Sequence, residues 1–241
     1  MEIANLFYKN KASFVINGKT AISEALKLLN SKVVAIPTYT CSRVYEATIN
    51  VNCKPIIVDC GLDLQIDITK IPNNVDTVII PHMFGIQVDI KPLKGKFKII
   101  EDCSQCMGLP KLGKYSDIVV ASLGPTKWLP IGKNKEFGGG LIAYNDGDIK
   151  NDFIHTNKAI TIFSKIDERL KIRKDKIKEF QNAGIKFIGA ERPNAWLRGM
   201  YITEKQTRIP YTPLHDIYKG FKCPIIDSIK NKIDWISIFA Q

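Results

Sequence analysis

The sequence lacks any apolar run approaching the roughly 18 residues that a membrane-crossing helix needs. Its first residues, Met1-Glu2-Ile3-Ala4-Asn5, show no basic stretch followed by an apolar one. No secretory leader is therefore expected, and the expected compartment is cytoplasmic, with no membrane partner. Neither a GxGxxG fingerprint nor a GxxxxGK[ST] loop is present, so the two nucleotide folds that those patterns mark lose support. Internal repeats and low-complexity linkers are missing too. A second Cys-x-x-Cys is also missing, so Cys103-Ser104-Gln105-Cys106 is not half of a zinc ribbon. No metal is expected. The six cysteines are read as buried free thiols, because a chain of this length needs no covalent staples.

What is present is ordinary for a globular protein. Hydrophobic residues make up 45% and charged residues 24%, which excludes wholesale disorder, collagen and coiled coil. The length of 241 residues suits one large domain, or one domain with a small appendage. The formal net charge is +11. A basic balance invites nucleic acid or a phosphate-bearing ligand. The lysines are scattered, however, as in Ser228-Ile229-Lys230-Asn231-Lys232, and no recognition motif accompanies them. They read as a solvated surface, and no nucleic-acid partner is expected.

Short apolar runs alternate with helical stretches over the first two-thirds. Lys19 to Leu29 carries a helical stripe after the turn Asn17-Gly18, and Ser42 to Asn50 is a second helix candidate. Strand candidates are 33–36, 55–58, 75–80, 97–100, 118–122 and 141–144. Several lack period-two alternation, as strands buried on both faces of a parallel sheet do. The fold class is α/β, with a mostly parallel sheet covered by helices. Near residue 150 the texture changes to a Lys-rich, helix-prone stretch through Phe180, then to short Pro-punctuated segments. The expected division is 1–150 and 151–241.

Three features carry chemistry. The strand through Ile100 runs directly into Glu101-Asp102, and ligands of open α/β sheets bind beyond the carboxyl ends of strands. A second strand ends at Ser122 and leads into Leu123-Gly124-Pro125-Thr126-Lys127, a loop presenting a lysine 25 residues after Asp102. Phe137-Gly138-Gly139-Gly140 precedes the last strand and permits close backbone approach there. Taken singly, Asp102 is also a plausible helix cap and Lys127 a plausible surface lysine.

Taken in order, these residues resemble a family. The series is Asn17-Gly18, Pro37-Thr38-Tyr39-Thr40, Pro55-Ile56-Ile57-Val58-Asp59, Pro81-His82-Met83-Phe84-Gly85, Glu101-Asp102-Cys103-Ser104-Gln105, Ser122-Leu123-Gly124-Pro125-Thr126-Lys127 and Gly139-Gly140. It looks like the DegT/DnrJ/StrS sugar-nucleotide aminotransferases, which use pyridoxal 5'-phosphate (PLP) on the aspartate-aminotransferase fold. The likeness runs from Ser13 to Asp148 and resumes weakly from Arg208 to Phe239. It implies that Lys127 holds PLP covalently and shuttles the proton, and that Asp102 faces the pyridine nitrogen. Gln105 would approach the ring hydroxyl. Ser122 and the backbone at Gly18-Lys19 would hold the phosphate. His82 matches a family position near the site, but reads first as a structural histidine under a loop. The implied reaction moves an amino group from an amino acid, by resemblance glutamate, to a nucleotide-linked keto sugar, in a homodimer.

The sequence departs from the pattern in several places. Lys19 stands where the family has threonine, and Cys41 where it has the aromatic that stacks on the cofactor. Tyr39, two residues earlier, would share a strand face with Cys41 if the segment is extended, and is the expected substitute. The C-terminal part is short, and the Asn-containing segment that reaches the partner subunit is missing between Asp148 and Lys178. The alternative is therefore a catalytically eroded homologue that binds a sugar nucleotide or a partner protein. A dehydratase relative is disfavoured by the retained lysine.

Overall fold

A computed structural model describes residues 2–131, 138–150, 156–203 and 212–238. Phe137, residues 208–211 and Phe239 lie outside the described residues. Seven strands form one sheet in the order β1-β7-β6-β5-β4-β2-β3: β1 (Lys11–Val15), β2 (Val33–Pro37), β3 (Lys54–Val58), β4 (Thr77–Pro81), β5 (Lys98–Asp102), β6 (Ile118–Ser122) and β7 (Gly140–Tyr144). β3, β2, β4, β5 and β6 are mutually parallel, and β7 runs against both β6 and β1. The six anticipated strands are all present. β1 was not anticipated.

The missing alternation has a direct cause. Along β6, Val119 and Ala121 pack into one apolar cluster while Ile118 and Val120 pack into another. Leu141 and Ala143 of β7 join the first, Ile142 and Tyr144 the second. Both faces are dry, so both sets of alternate residues are apolar. The second face is covered by α1 (Gly18–Leu28) and α2 (Ser42–Asn50), which contribute Ala21, Ile22, Ala25, Leu26, Val44 and Ala47. The first face is covered by α3 (Thr156–Phe163) and α4 (Ile166–Asn182), through Ala159, Phe163 and Ile166. Helices therefore lie on both faces, as expected.

The chain continues through β8 (Arg198–Ile202), α5 (Leu214–Ile217), α6 (Pro224–Ile229) and β9 (Ile233–Ser237), with β8 and β9 pairing antiparallel in a small separate sheet. This part docks on the ends of the central strands. The Leu214 amide donates to the Thr38 carbonyl at 2.6 Å, and the amide of Ile225 donates to Asp59 Oδ2 at 3.0 Å. Tyr218 stacks on Tyr45 of α2 with ring centroids 3.6 Å apart. Among the described residues, no helix is long and apolar enough to cross a membrane.

Candidate active site

β1, β5 and β6 all end on the same edge of the sheet, and a cavity of about 340 Å³ opens there. Its walls include Gly18, Lys19, Cys41, Arg43, Asp102, Ser104, Ser122 and Lys127. Asp102 is the last residue of β5 and Ser122 the last of β6, adjacent parallel strands. The cavity thus gathers five of the seven residues singled out from the sequence: Gly18, Lys19, Asp102, Ser122 and Lys127.

α1 begins at the cavity wall. Asn17 caps it, its side-chain oxygen accepting from the Thr20 amide at 2.9 Å. No acidic residue occupies the first turn, so the free N–H groups and the positive end of the helix face the cavity uncompensated. Gly18 is packed against Ser122: a Cβ built on it would lie 2.6 Å from Ser122 Cβ. Gly140 is equally tight, with a built Cβ 2.3 Å from the Asn17 carbonyl oxygen. That contact is what a glycine at the first position of β7 permits.

Lys127 is held by its neighbours on both sides. Its amide donates to the Gly124 carbonyl at 3.0 Å, and the Trp128 amide donates to the Ser104 carbonyl at 3.3 Å. Trp128 is fully buried, donates from Nε1 to the Ala195 carbonyl at 2.9 Å, and carries the Arg173 guanidinium 5.3 Å above its ring. Asp102 Oδ1 accepts from the Ser104 amide at 2.9 Å and from the Ser104 hydroxyl. Among the described residues, three cationic side chains, Lys19, Arg43 and Lys127, line the cavity beside one carboxylate, that of Asp102. Two of them already have a partner: Glu46 accepts from Arg43 at 2.6 Å and lies 3.4 Å from Lys19. Burial acts to raise the Glu46 carboxyl, but the hydrogen bonds from Arg43 and Lys19 outweigh it and hold the group below the usual range.

Two expected residues lie elsewhere. Tyr39 is fully buried against Phe84, ring centroids 5.7 Å apart, and does not line the cavity. β2 stops at Pro37 and the chain bends over 38–40, so Tyr39 and Cys41 do not share a strand face. Cys41 itself lines the cavity. Gln105 is buried and engaged: its Oε1 accepts from the Phe84 amide at 2.8 Å, and its Nε2 faces Met83 Sδ at 3.5 Å. It fixes the turn after β4 instead of lining the cavity.

His82 is structural in this fold. The Val88 amide donates to its Nδ1 at 3.0 Å, which leaves the proton on Nε2, donating to Glu101 Oε1 at 2.8 Å. His82, Cys103 and Cys106 come close enough to suggest a metal. Both ring nitrogens are already used, and burial pushes both thiols up, so the group does not suit one. All six cysteines are free, and only Cys41 is not fully buried. At the second such cluster, His215, Asp216 and Asp227, the Lys230 ammonium sits 2.9 Å from Asp216 and 2.7 Å from Asp227, where a cation would go.

Sequence reasoning missed Ser104 and Arg43 as cavity residues. The signal for Ser104 was available, since Asp-x-Ser places a hydroxyl and an amide within reach of the preceding carboxylate. Arg43 carries no comparable signal.

Residues 1–186 match the sequence profile of the DegT/DnrJ/EryC1/StrS aminotransferase family. The chain belongs to that family. No curated protein sequence is a significant match. Solved structures similar to this aminotransferase-family chain include NtdA of Bacillus subtilis with bound PMP, at 19% identity and a TM-score of 0.79, covering 98% of this chain and 71% of that one. Spr1654 of Streptococcus pneumoniae in its PLP form is similar at 14% identity and 0.79, covering 98% and 84%. A DegT/DnrJ/EryC1/StrS aminotransferase from Brucella abortus is similar at 16% and 0.75, covering 98% and 83%. The α/β architecture is that of PLP-dependent aminotransferases.

Proposed function

We propose that this aminotransferase-family chain uses PLP to move an amino group from an amino acid, glutamate, to a nucleotide-linked keto sugar. The observation that carries the reading is one cavity lined by a lysine and a carboxylate at the ends of adjacent strands, with Ser122 and the start of α1 beside them. These residues fit the cofactor. The first turn of α1 offers uncompensated N–H groups to a dianion, and Gly18 keeps open a cradle that a Cβ would fill. Asp102 offers a carboxylate oxygen for a protonated ring nitrogen.

Bound PLP supplies an electron sink that acidifies the Cα–H of the donor. The protein's own groups do the rest. Lys127 Nζ would hold the cofactor and, when free, would take up and return the donor's proton. Asp102 would keep the ring nitrogen protonated. Ser122 Oγ and the amides of Gly18 and Lys19 would hold the phosphate, with the charge of Lys19 beside it. Tyr39 and Gln105 stand outside the cavity, one packed on Phe84 and the other bonded to its amide.

The keto-sugar substrate, the glutamate donor, the cytoplasmic location and the homodimer rest on the likeness to the family. So does the division into a cofactor-binding part, 1–150, and a C-terminal part, 151–241. The net charge of +11 accords with a diphosphate-bearing substrate. One observation favours the eroded, non-catalytic reading: a thiol, Cys41, lines the cavity where the family stacks an aromatic. The deciding experiment is the absorbance spectrum with PLP before and after borohydride, followed by peptide mapping. A visible band that reduction fixes onto Lys127, and that glutamate bleaches, supports the aminotransferase. No band at saturating PLP overturns it in favour of the eroded homologue.

A further inference from the structure

One hydroxyl ties the two sides of the cavity together. The Ser122 amide donates to Ser104 Oγ at 2.7 Å. An amide can only donate, so the hydroxyl accepts there and its own proton goes to Asp102 Oδ1. The Ser104 amide adds a second donor to the same oxygen at 2.9 Å. Oδ1 is thereby saturated from the protein side. Among the described residues, Oδ2 carries no hydrogen bond. The Ser104 carbonyl meanwhile accepts from the Trp128 amide, next to Lys127. One buried residue therefore touches the carboxylate, the strand end bearing Ser122 and the lysine loop. The Cys103 amide, just before it, donates to the Val120 carbonyl at 2.8 Å, which ties the backbone under the bridge to β6.

We propose that Ser104 is a positioning residue. Its hydroxyl locks Asp102 Oδ1 to the Ser122 amide, so that Oδ2 alone is left to accept a proton donor in the cavity, and the spacing between Asp102 and Ser122 is fixed. This rests on the PLP reading above. For a flat cofactor gripped by its ring nitrogen at Asp102 and by its phosphate at Ser122, the bridge sets the distance between the two grips. It also keeps Asp102 an acceptor at Oδ1, because a carboxyl protonated there would face two donors with a third.

The test compares Ser104→Ala and Ser104→Thr with the unmodified protein in three measurements. Amide hydrogen exchange at Ser122 reads the bridge with no cofactor present. The alanine variant is expected to exchange faster there, and the threonine variant, which keeps the hydroxyl, to stay protected. PLP affinity is read by titration of the visible band. The alanine variant is expected to bind about tenfold more weakly, the scale of one hydrogen bond to a charged group, with threonine restoring it. The pH titration of the band is expected to shift in the alanine variant and not in the threonine one.

A double-mutant cycle with Asp102→Ala then asks whether the effect passes through the carboxylate. Loss of the Ser104→Ala effect in the Asp102→Ala background supports the proposal. Full additivity overturns it, as does an alanine variant with altered melting temperature but unchanged PLP affinity and pH titration. If the unmodified protein shows no visible band, the PLP reading itself has failed. The exchange measurement at Ser122 then still decides whether the bridge exists.

Discussion

Glu101 and Asp102 are adjacent in sequence and face opposite sides of the sheet. Glu101 is 1% exposed and tied to His82, while Asp102 lines the cavity. The pair is therefore not a catalytic dyad. The strand's alternation sends one carboxylate to chemistry and the other to scaffold.

The scaffold half is testable. Glu101 Oε1 accepts from His82, and Oε2 accepts from the Gly113 amide at 2.7 Å and the Ser116 hydroxyl at 2.9 Å. Burial acts to raise its carboxyl. The hydrogen bond and charge of His82, with Gly113 and Ser116, outweigh that and hold it below its ordinary 4.5. The native carboxylate thus takes up its proton less readily than the unfolded one. Its contribution is complete above the unfolded value and is lost as pH falls through the native value. Glu101→Gln turns a donor toward donors and should cost about 2–3 kcal/mol at pH 7. Urea midpoints between pH 7 and 3 check this. The acid loss of stability should be steeper in the unmodified protein than in the variant, and equal slopes would refute it.

Gly18 gives the second prediction. Ser122 leaves no room for a methyl group at position 18, and Ser122 Cα backbone lies 3.1 Å from the built Cβ. Gly18→Ala must push the start of α1 off the strand end. The overpacking should cost about 1–3 kcal/mol. PLP affinity should fall more than pyridoxal affinity, because the displaced element is the one proposed to hold the phosphate. Equal losses for the two ligands would place the phosphate elsewhere.

The strands that could be read from the sequence are those that carry an apolar run. β2, β4, β6 and β7 are almost wholly apolar and buried, while β3, an edge strand, and β5, which ends in two carboxylates, still show Ile56-Ile57-Val58 and Ile99-Ile100. β1, Lys-Ala-Ser-Phe-Val, is an edge strand with an exposed first residue, and its sequence carries neither a clean run nor a clean alternation. β8 and β9, Arg-Gly-Met-Tyr-Ile and Ile-Asp-Trp-Ile-Ser, form a two-stranded sheet that carries even less signal. The site divides in the same way. Asp102, Ser122 and Lys127 sit at or just past strand ends, where topology alone directs them to the cavity. Tyr39 and Gln105 depend on tertiary detail. One follows a bend at 38–40, and the other is drawn to a turn where Phe84 adopts φ of 61°. No local pattern encodes either.

Glu46 competes with a cavity anion for Lys19 and Arg43. Glu46→Gln removes the competing charge and leaves both cations facing the cavity. PLP should bind about two- to fivefold more tightly, the scale of a half-exposed ion pair. The gain should shrink with added salt, because these side chains are reached by solvent. Pyridoxal, which has no phosphate, should be unaffected. Titrations of both ligands at low and high salt check the point. Unchanged PLP affinity would show that Lys19 stays out of the phosphate grip.

Cys41 lines the cavity at the N-cap of α2, with an ordinary extended backbone at φ −67° and ψ 132° and no side-chain capping bond to lose. A larger side chain there alters no helix hydrogen bond. Cys41→Phe would place a ring where the thiol now stands. If PLP occupies this cavity, the new ring should stack on it and tighten binding by about two- to tenfold, the scale of an aromatic pair. The visible band should shift with the change in ring environment. Tyr39→Phe, by contrast, should leave PLP affinity unaltered, since Tyr39 is buried against Phe84 and away from the cavity wall. Band titrations of the two variants separate the positions. Weaker binding in Cys41→Phe, with its fold intact by circular dichroism, would mean that the thiol's small size is required. It would also mean that this cavity holds its ligand without a stacking ring.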